Sequence, residues 1–320
     1  MKPKVYITRK IPDEIVTKIE MECEIRMWNE PEIPVPREVL EKEIADAEGL
    51  FCLITETIDR ELLEKARRLK VISNMAVGYN NIDIKAAKEK KIIVTNTPGV
   101  LTETTADLTF ALLMATARRL VESSDYLRRG DWKTWSPMQL TGQDVYGATL
   151  GIIGMGRIGT ALARRANGFD MKILYHNRSR KYQIENELNV KFAELETLLK
   201  ESDFVCIMTP YSNETKGLIS TRELSLMKNT AILINTARGG IVNEDDLYLA
   251  LKKGTIWAAG LDVYEEEPIS QDHPLLTLPN VVTIPHIGSA SVKTRLKMAE
   301  LAAENMMLVL KNEQPKNVVG

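Results

Sequence analysis

The sequence predicts an α/β protein built from two domains with parallel sheets. Its 320 residues are too many for one compact core and suit two domains of ordinary size. Short β-rich runs alternate with amphipathic stretches over residues 5–96, and a second series of the same kind begins near residue 148. Because parallel strands need crossover connections, strands that alternate with helices indicate mostly parallel sheets.

The first series has the flavodoxin-like order of strands and helices. Its strands are short and rich in Val and Ile, and its helices carry apolar residues at helical spacing. The predicted strands are 5–8, 24–27, 49–55, 71–75 and 92–96. The predicted helices are 11–20, 37–46, 60–67 and 84–90.

A domain boundary follows, because residues 95–99 (Thr-Asn-Thr-Pro-Gly) combine turn-forming residue types. Beyond it, apolar residues at spacings of 4, 3, 4 and 3 from Ala106 to Leu120 predict a helix, which leads into a loop over 130–147. The second series then has strands near 148–154, 172–177, 203–209, 231–236, 258–263 and 280–285. A long helix ending near Leu310 closes the chain.

Composition excludes several classes of protein and partner. Lys plus Arg number 42 and Asp plus Glu 44, which gives a net charge of −2 and predicts neither a nucleic-acid nor a membrane partner. The longest apolar stretches, such as 108–117, are too short to span a bilayer. Three cysteines scattered in apolar runs support neither a disulfide framework nor a zinc site, so no metal is expected. Without a signal-type N-terminus, we expect a cytoplasmic protein.

A glycine-rich motif leaves the first strand of the second series. Gly154, Gly156 and Gly159 form G-x-G-x-x-G, in a loop that includes Met155, Arg157 and Ile158. The first glycine permits a tight turn, the second lets the backbone approach a pyrophosphate, and the third lets helix and strand pack closely. A lone motif of this kind is weak evidence, but here a strand precedes it and a helix and a second strand follow. The pattern predicts a dinucleotide site in a Rossmann-like domain.

The end of that second strand bears on which dinucleotide binds. A site specific for NAD carries Asp or Glu there for the ribose hydroxyls, whereas Asn177 stands in that place, followed by Arg178, Ser179 and Arg180. No carboxylate repels a 2′-phosphate, and the planar arginine fork matches phosphate geometry. The pattern favours NADP(H), with Arg178 and Arg180 both reaching the ribose; NAD(H) is the alternative cofactor, and a solvated basic loop is the structural alternative.

Three histidines allow each to be weighed individually. His176 lies at the adenosine edge without an evident role, and His273 is expected to be solvent-exposed in a loop. His286 follows the last strand of the second series, while Arg238 and Glu267 follow the two strands before it. Because ligands bind at the carboxyl ends of parallel strands, these three side chains are candidates for one site. Taken singly, each also fits a structural role.

Several motifs in order resemble those of the D-isomer-specific 2-hydroxyacid dehydrogenases. They are G-x-G-x-x-G, N-T-A-R-G at 235–239, G-L-D-V-Y-E-E-E-P at 260–268 and P-H-I-G-S at 285–289. The resemblance covers essentially the whole chain, including V-G-Y-N-N-I-D at 77–83. Within the family, the chain looks most like the glyoxylate/hydroxypyruvate reductases, through residues 4–9 and 177–179.

The resemblance implies a role for each candidate. Arg238 would hold the substrate carboxylate and 2-oxo group. His286 would be the general acid in reduction and the base in oxidation, and Glu267 would pair with its other ring nitrogen. The implied cofactor contacts, beyond residues 154–159, are Asn177, Arg178, Ser179, Thr209, Pro210, Thr236, Ala237, Arg238, Asp262, His286 and Gly288. The implied substrate contacts are Leu53, Val77, Gly78, Arg238 and His286.

The family also implies a split domain organisation. Residues 1–99 with 289–320 would form a discontinuous substrate domain, and residues 100–288 an inserted NAD(P)-binding domain. An arm at about 101–147 would join two copies in a homodimer. These boundaries and the dimer are expectations carried by the resemblance.

The expected activity is the NAD(P)H-dependent reduction of glyoxylate, hydroxypyruvate or a similar small 2-oxo acid to the D-2-hydroxy acid. One alternative is a reductase of 2-oxo-gluconate or phosphohydroxypyruvate, although a phosphorylated substrate would want extra basic residues near 52–56 and 77–80, where the sequence has none. Another alternative is a dinucleotide-sensing binding protein like the related corepressors. Those proteins usually carry disordered tails, of which this sequence gives no sign.

Overall fold

The computed structural model of this chain describes residues 2–319; Met1 and Gly320, the end residues of the predicted first domain, lie outside the described residues. The chain divides into two compact units, Met1–Leu101 with Ala290–Gly320 (unit 1) and Thr102–Ser289 (unit 2). The predicted boundaries follow residues 99 and 288. They lie two residues before Leu101 and one residue before Ser289.

The first part of unit 1 alternates strands and helices in the predicted order. The strands are β1 Lys4–Ile7, β2 Glu24–Met27, β3 Gly49–Cys52, β4 Val71–Asn74 and β5 Ile93–Thr95. The helices are α1 Asp13–Glu20, α2 Arg37–Ile44, α3 Arg60–Lys65 and α4 Ile84–Glu89. Every residue of β3 and β4 is buried, as expected for inner strands of a parallel sheet. β3 ends at Cys52 and not at residue 55, because the Leu53 amide turns to the Glu56 carboxylate.

Unit 2 begins with two helices where one was predicted. The predicted helix through residue 120 ends at Ala117, because Arg119 takes a left-handed φ of 51° and separates α5 from α6. The helices are α5 Thr102–Ala117, α6 Leu120–Arg128, α7 Arg157–Asn167, α8 Tyr182–Leu188, α9 Leu195–Glu201, α10 Thr221–Leu226 and α11 Glu244–Lys253. The strands are β6 Thr149–Ile153, β7 Lys172–His176, β8 Lys191–Phe192, β9 Phe204–Ile207, β10 Ile232–Asn235, β11 Ala258–Leu261 and β12 Val281–Thr283, with a 3₁₀ turn at Pro274–Thr277.

The chain then completes unit 1 with α12 Val292–Leu310 and β13 Val318–Val319. α12 buries Ala299, Ala303 and Met306 in the same core as Ile7 and Phe51, so the C-terminal segment covers one face of the unit 1 sheet. Within residues 2–319, no helix has both the length and the apolar character needed to cross a bilayer.

Both sheets confirm the predicted α/β class. The unit 1 sheet has the order β13-β5-β4-β3-β1-β2, which is the flavodoxin-like order with β13 added antiparallel to β5. The unit 2 sheet has the order β12-β11-β10-β9-β6-β7-β8 with parallel pairing, which is the Rossmann order extended by β12. Its strand order reverses between β6 and β9, and ligands bind at such a switch point in parallel sheets.

Candidate active site

The glycine loop after β6 has the shape that its motif predicts. Gly154 has a φ of 107°, and a Cβ there would lie 2.6 Å from the Met208 carbonyl carbon. A Cβ at Gly159 would lie 2.2 Å from the Gly154 oxygen. By contrast, apart from Gly156 itself and the residues next to it in the chain, no atom of residues 2–319 lies within 4 Å of a Cβ built on Gly156. Gly154 and Gly159 therefore serve close packing, whereas Gly156 faces open space.

The N-terminus of α7 faces the same loop. Gly156 is the residue that precedes the helix, and no side chain in the described part of the chain caps it. The first amides of a helix lack partners within the helix and attract anions. Open space beside Gly156 and an uncapped helix N-terminus together fit a dinucleotide pyrophosphate.

The adenosine edge after β7 holds its two arginines differently. Asn177 donates from Nδ2 to the Ser179 carbonyl at 2.8 Å, and Arg178 is exposed. Arg180 donates from Nε and Nη2 to the two carboxylate oxygens of Glu185, each at 2.8 Å, and Tyr175 Oη donates to the same carboxylate at 2.6 Å. Because the Arg180 guanidinium is already paired with Glu185, Arg178 is the stronger candidate of the two predicted arginines for contact with a ribose phosphate.

The turn after β10 presents Arg238. Asn235 is buried, and its side chain accepts from the Ala237 amide at 3.1 Å and donates to the Arg238 carbonyl at 2.9 Å. Arg238 donates from Nη1 to the Ala237 carbonyl at 2.7 Å. A Cβ at Gly239 would lie 1.7 Å from the Tyr264 oxygen, so only glycine fits beside the next loop. Asn235 is absent from the predicted site residues, although an asparagine whose side chain bonds to the backbone two residues later is typical of a turn.

The segment after β11 places Glu267 against the imidazole ring. Glu267 Oε1 accepts from the Tyr264 amide at 3.0 Å, and Oε2 lies 2.6 Å from His286 Nδ1. Burial acts to raise the pKa of Glu267, but the hydrogen bond and charge of His286, the Tyr264 amide and Arg238 hold it below its ordinary value. The side chain therefore remains a carboxylate at neutral pH and can accept a hydrogen bond from His286 Nδ1.

The turn after β12 is held by Asp262. His286 has a left-handed φ of 50°, its amide donates to the Asp262 carbonyl at 2.9 Å, and the Ile287 amide donates to Asp262 Oδ1 at 2.6 Å. Asp262 Oδ2 is buried without a hydrogen-bond partner in the described part of the chain. Burial raises the pKa of Asp262 to about 6, although the Ile287 amide and the charge of His286 oppose the shift. These bonds stabilise the strained backbone that aims the ring.

Arg238, Glu267 and His286 form one polar cluster at the carboxyl edge of the unit 2 sheet. Burial lowers the pKa of Arg238, and the charge of Glu267 opposes that shift. The Glu267 carboxylate is thus hydrogen-bonded to a ring nitrogen and interacts through its charge with a guanidinium.

The other residues predicted for the cofactor lie at the same edge of the sheet. Thr209 and Pro210 follow β9, and Ala237 follows β10. Thr236, also after β10, shares a 2.6 Å hydrogen bond with Thr109, a buried α5 residue that the sequence analysis missed. A Cβ at Gly288 would lie 3.1 Å from Asp262 Oδ2, which explains the absence of a side chain there.

The residues predicted to contact the substrate from unit 1 lie on two loops. Leu53 follows β3, while Val77 and Gly78 follow β4. The Val77 carbonyl accepts from Asn96 Nδ2 at 2.8 Å, and the Gly78 carbonyl accepts from Asn74 Nδ2 at 2.9 Å. Buried or half-buried amide side chains therefore hold the second loop in place.

The remaining histidines have structural partners. His176 Nδ1 lies 3.1 Å from the Ala193 carbonyl oxygen. The expectation of a solvent-exposed His273 is wrong: its side chain is only 24% exposed, and Nε2 lies 3.2 Å from Glu244 Oε2. His273 precedes the 3₁₀ turn, and its Nδ1 accepts from the Leu275 amide.

A family comparison matches this geometry. Residues 110–288 match the profile described as the D-isomer specific 2-hydroxyacid dehydrogenase, NAD binding domain. This chain belongs to the D-isomer-specific 2-hydroxyacid dehydrogenase family. The predictions of that family and of an enzyme are confirmed: the dehydrogenase is an oxidoreductase that acts on CH–OH groups with a nicotinamide dinucleotide.

Named relatives cover nearly the full length of the dehydrogenase. A glyoxylate reductase of Korarchaeum cryptofilum is 52% identical over 321 residues, which cover 100% of this chain and 96% of the relative. A crystal structure of a Thermus thermophilus protein has a TM-score of 0.93 at 45% identity, covering 99% of this chain and 100% of the other. An NADPH-dependent glyoxylate/hydroxypyruvate reductase from Sinorhizobium meliloti, solved with NADP and malonate, has a TM-score of 0.86 at 30% identity, covering 100% and 97%.

Proposed function

We propose that this dehydrogenase reduces glyoxylate, or a similarly small 2-oxo acid, to the D-2-hydroxy acid and prefers NADPH to NADH. The observation that carries the proposal is the Arg238–Glu267–His286 cluster at the same carboxyl edge of the sheet as the glycine loop. It is supported by the relatives named glyoxylate reductase and by the NADPH-dependent reductase of Sinorhizobium meliloti. Unit 2 would bind the cofactor, and unit 1 would supply substrate contacts.

His286 is the proposed proton donor in reduction. Its Nδ1 is engaged by Glu267, so Nε2 is the atom that exchanges a proton with the substrate oxygen. The ionised Glu267 accepts a hydrogen bond from Nδ1 and so fixes the orientation of the ring. In the oxidation direction, the same Nε2 accepts the proton from the hydroxyl group.

Arg238 is the proposed anchor for the substrate carboxylate and 2-oxo group. Its guanidinium carries five donors in a planar fork, which orients a planar acid in a way a point charge cannot. Leu53 and the backbone amides of Val77 and Gly78 are the proposed substrate contacts of unit 1. Gly156 and the α7 N-terminus would hold the pyrophosphate, and the nicotinamide, when bound, supplies the hydride.

The wild-type protein tests the activity directly. Steady-state assays with glyoxylate, hydroxypyruvate, 2-oxo-gluconate and phosphohydroxypyruvate, each with NADPH and NADH, should give the highest kcat/KM for one of the first two acids with NADPH. An enzyme that is more efficient with phosphohydroxypyruvate or 2-oxo-gluconate contradicts the proposed substrate. Tight dinucleotide binding without turnover of any 2-oxo acid would contradict the proposed reaction.

A double substitution at the adenosine edge should move cofactor preference from NADPH toward NADH. Asn177→Asp adds a carboxylate that repels a 2′-phosphate and accepts from ribose hydroxyls, and Arg178→Ile removes an exposed cation. Each charge-assisted bond lost is worth roughly 1.5–3 kcal/mol, or about ten- to a hundredfold in affinity. The ratio of kcat/KM for the two cofactors measures the shift.

The two arginines provide a matched control for this cofactor prediction. Arg178→Gln should lower the NADPH preference about tenfold, which corresponds to the loss of one charge-assisted hydrogen bond. Arg180→Gln should change the preference much less, because Arg180 is bound to Glu185. A wild type that already favours NADH, or a double variant with an unchanged ratio, removes the proposed NADPH preference.

We also propose that the dehydrogenase is a homodimer joined through the 101–147 arm. None of the residues of α6, all of them described, is buried, and Leu127, Trp135 and Met138 are at least 59% exposed. Several large apolar side chains exposed within one segment are typical of a protein–protein contact, and twofold dimers are the commonest assemblies.

Sedimentation equilibrium should give twice the 36.0 kDa chain mass. Leu127→Glu should shift the population toward the monomer, because the contact would bury an unpaired charge. Leu249→Glu, at a leucine that is 46% exposed on α11, is the matched control and should leave the mass unchanged. A monomeric wild type at micromolar concentration excludes the homodimer.

A further inference from the structure

A buried carboxylate in unit 1 has no part in the proposed chemistry. Glu56 is 4% exposed and lies in the turn after β3. Its Oε2 accepts from Thr8 Oγ1 at 2.7 Å and from the Leu53 amide at 2.8 Å, and its Oε1 accepts from Thr55 Oγ1 at 2.5 Å. One side chain thus ties the end of β1 to the start of the loop that carries Leu53.

Arg9 accompanies this carboxylate. Its Nη2 lies 3.5 Å from Glu56 Oε1 and donates to Thr55 Oγ1 at 3.1 Å, and both charged side chains are at most 10% exposed. A buried ion pair adds little net stability, because desolvation offsets the attraction. Net stability is therefore a weak explanation for the Arg9–Glu56 pair. The hydrogen bond from the Leu53 amide to Glu56 offers a better one.

Asn81 joins this loop to the next one. Its Nδ2 donates to the backbone carbonyls of Leu53 at 3.0 Å and Glu56 at 2.9 Å. The backbone carbonyl of Asn81 accepts from the Ile58 amide at 2.8 Å. The loop after β3 and the loop after β4 are consequently one hydrogen-bonded assembly. These loops carry Leu53, Val77 and Gly78, the proposed substrate contacts of unit 1.

We infer that Glu56 is a positioning residue that sets the substrate-binding geometry of both loops through the Leu53 amide and Asn81. The inference rests on the proposed function, since it assigns Leu53, Val77 and Gly78 to the substrate. Glu56 itself acts through the backbone. Its loss should weaken binding of the 2-oxo acid and spare the dinucleotide, which the glycine loop of unit 2 would hold.

Glu56→Ala and Glu56→Gln test this separation in steady-state assays. Glu56→Ala should raise KM for glyoxylate about tenfold or more, because it removes the acceptor for the Leu53 amide, while KM for NADPH should stay within about twofold. Glu56→Gln keeps an oxygen for Thr8 and Leu53 and should recover KM for glyoxylate to within about threefold of wild type.

Glu48 provides the matched control. It precedes β3 at the opposite end of the strand and pairs with Arg68 and Lys70. Glu48→Ala should therefore leave both KM values within about twofold while removing ion pairs from the same unit. An equal effect of Glu48→Ala and Glu56→Ala on glyoxylate binding overturns the inference, because it would indicate general loosening of unit 1.

Two further measurements test the positioning role of Glu56. If Glu56→Ala does not fold, Asn81→Ala should raise KM for glyoxylate with an unchanged KM for NADPH, and an unchanged glyoxylate KM overturns the inference.

Amide hydrogen exchange at Leu53 can be measured without substrate. The exchange should accelerate about tenfold in Glu56→Ala and stay slow in Glu48→Ala. A wild type inactive on every 2-oxo acid would falsify the proposed function, whereas unchanged exchange at Leu53 overturns the positioning role by itself.

Discussion

His286→Ala should lower kcat by about two to four orders of magnitude with glyoxylate and NADPH at neutral pH. Among residues 2–319, His286 is the only histidine bonded to a carboxylate with a lowered pKa. Loss of a positioned general acid costs about this much. NADPH binding, measured by fluorescence titration, should survive because the glycine loop is untouched.

His273→Ala is the matched control for this loss. His273 also lies beside a carboxylate, but it belongs to the loop before the 3₁₀ turn and pairs with Glu244. Its replacement should keep kcat within about twofold, although it removes the bond to the Leu275 amide. Near-normal turnover in His286→Ala would rule out His286 as the proton donor.

Arg238→Lys should lower kcat/KM for glyoxylate by about two to three orders of magnitude. Lysine keeps a positive charge but has neither the planar fork nor the reach to donate to the Ala237 carbonyl and a carboxylate together. Burial lowers the pKa of Arg238, and a lysine in that environment loses its proton far more readily than an arginine.

Arg222→Lys is the matched control for the arginine substitution. Arg222 is 65% exposed on α10 and pairs with Glu196, so lysine should replace it without a change in kcat/KM. Wild-type KM and kcat in Arg238→Lys would exclude the role of carboxylate anchor.

The sequence by itself determined the class of fold, the alternation of strands and helices in both units, and the family. Strand and helix periodicities are local properties, so β1 to β5 of unit 1 could be predicted to within three residues, whereas the two-residue β13 could not. The motifs that carry Arg238, Glu267 and His286 each follow a strand, and parallel strands bring their carboxyl ends to one edge. The candidate site could therefore be assembled from motif order alone.

Tertiary structure decided which side chains pair. The pairing of Arg180 with Glu185 and of His273 with Glu244, and the bonds of Glu56 to Thr8 and Leu53, depend on the directions in which side chains leave their elements. The break between α5 and α6 depends on the left-handed backbone of Arg119, and arginine is not a residue type that indicates such a conformation in a sequence. Periodicity records which face of an element is apolar, but not which polar groups meet across a turn, because those contacts are set only when the chain packs.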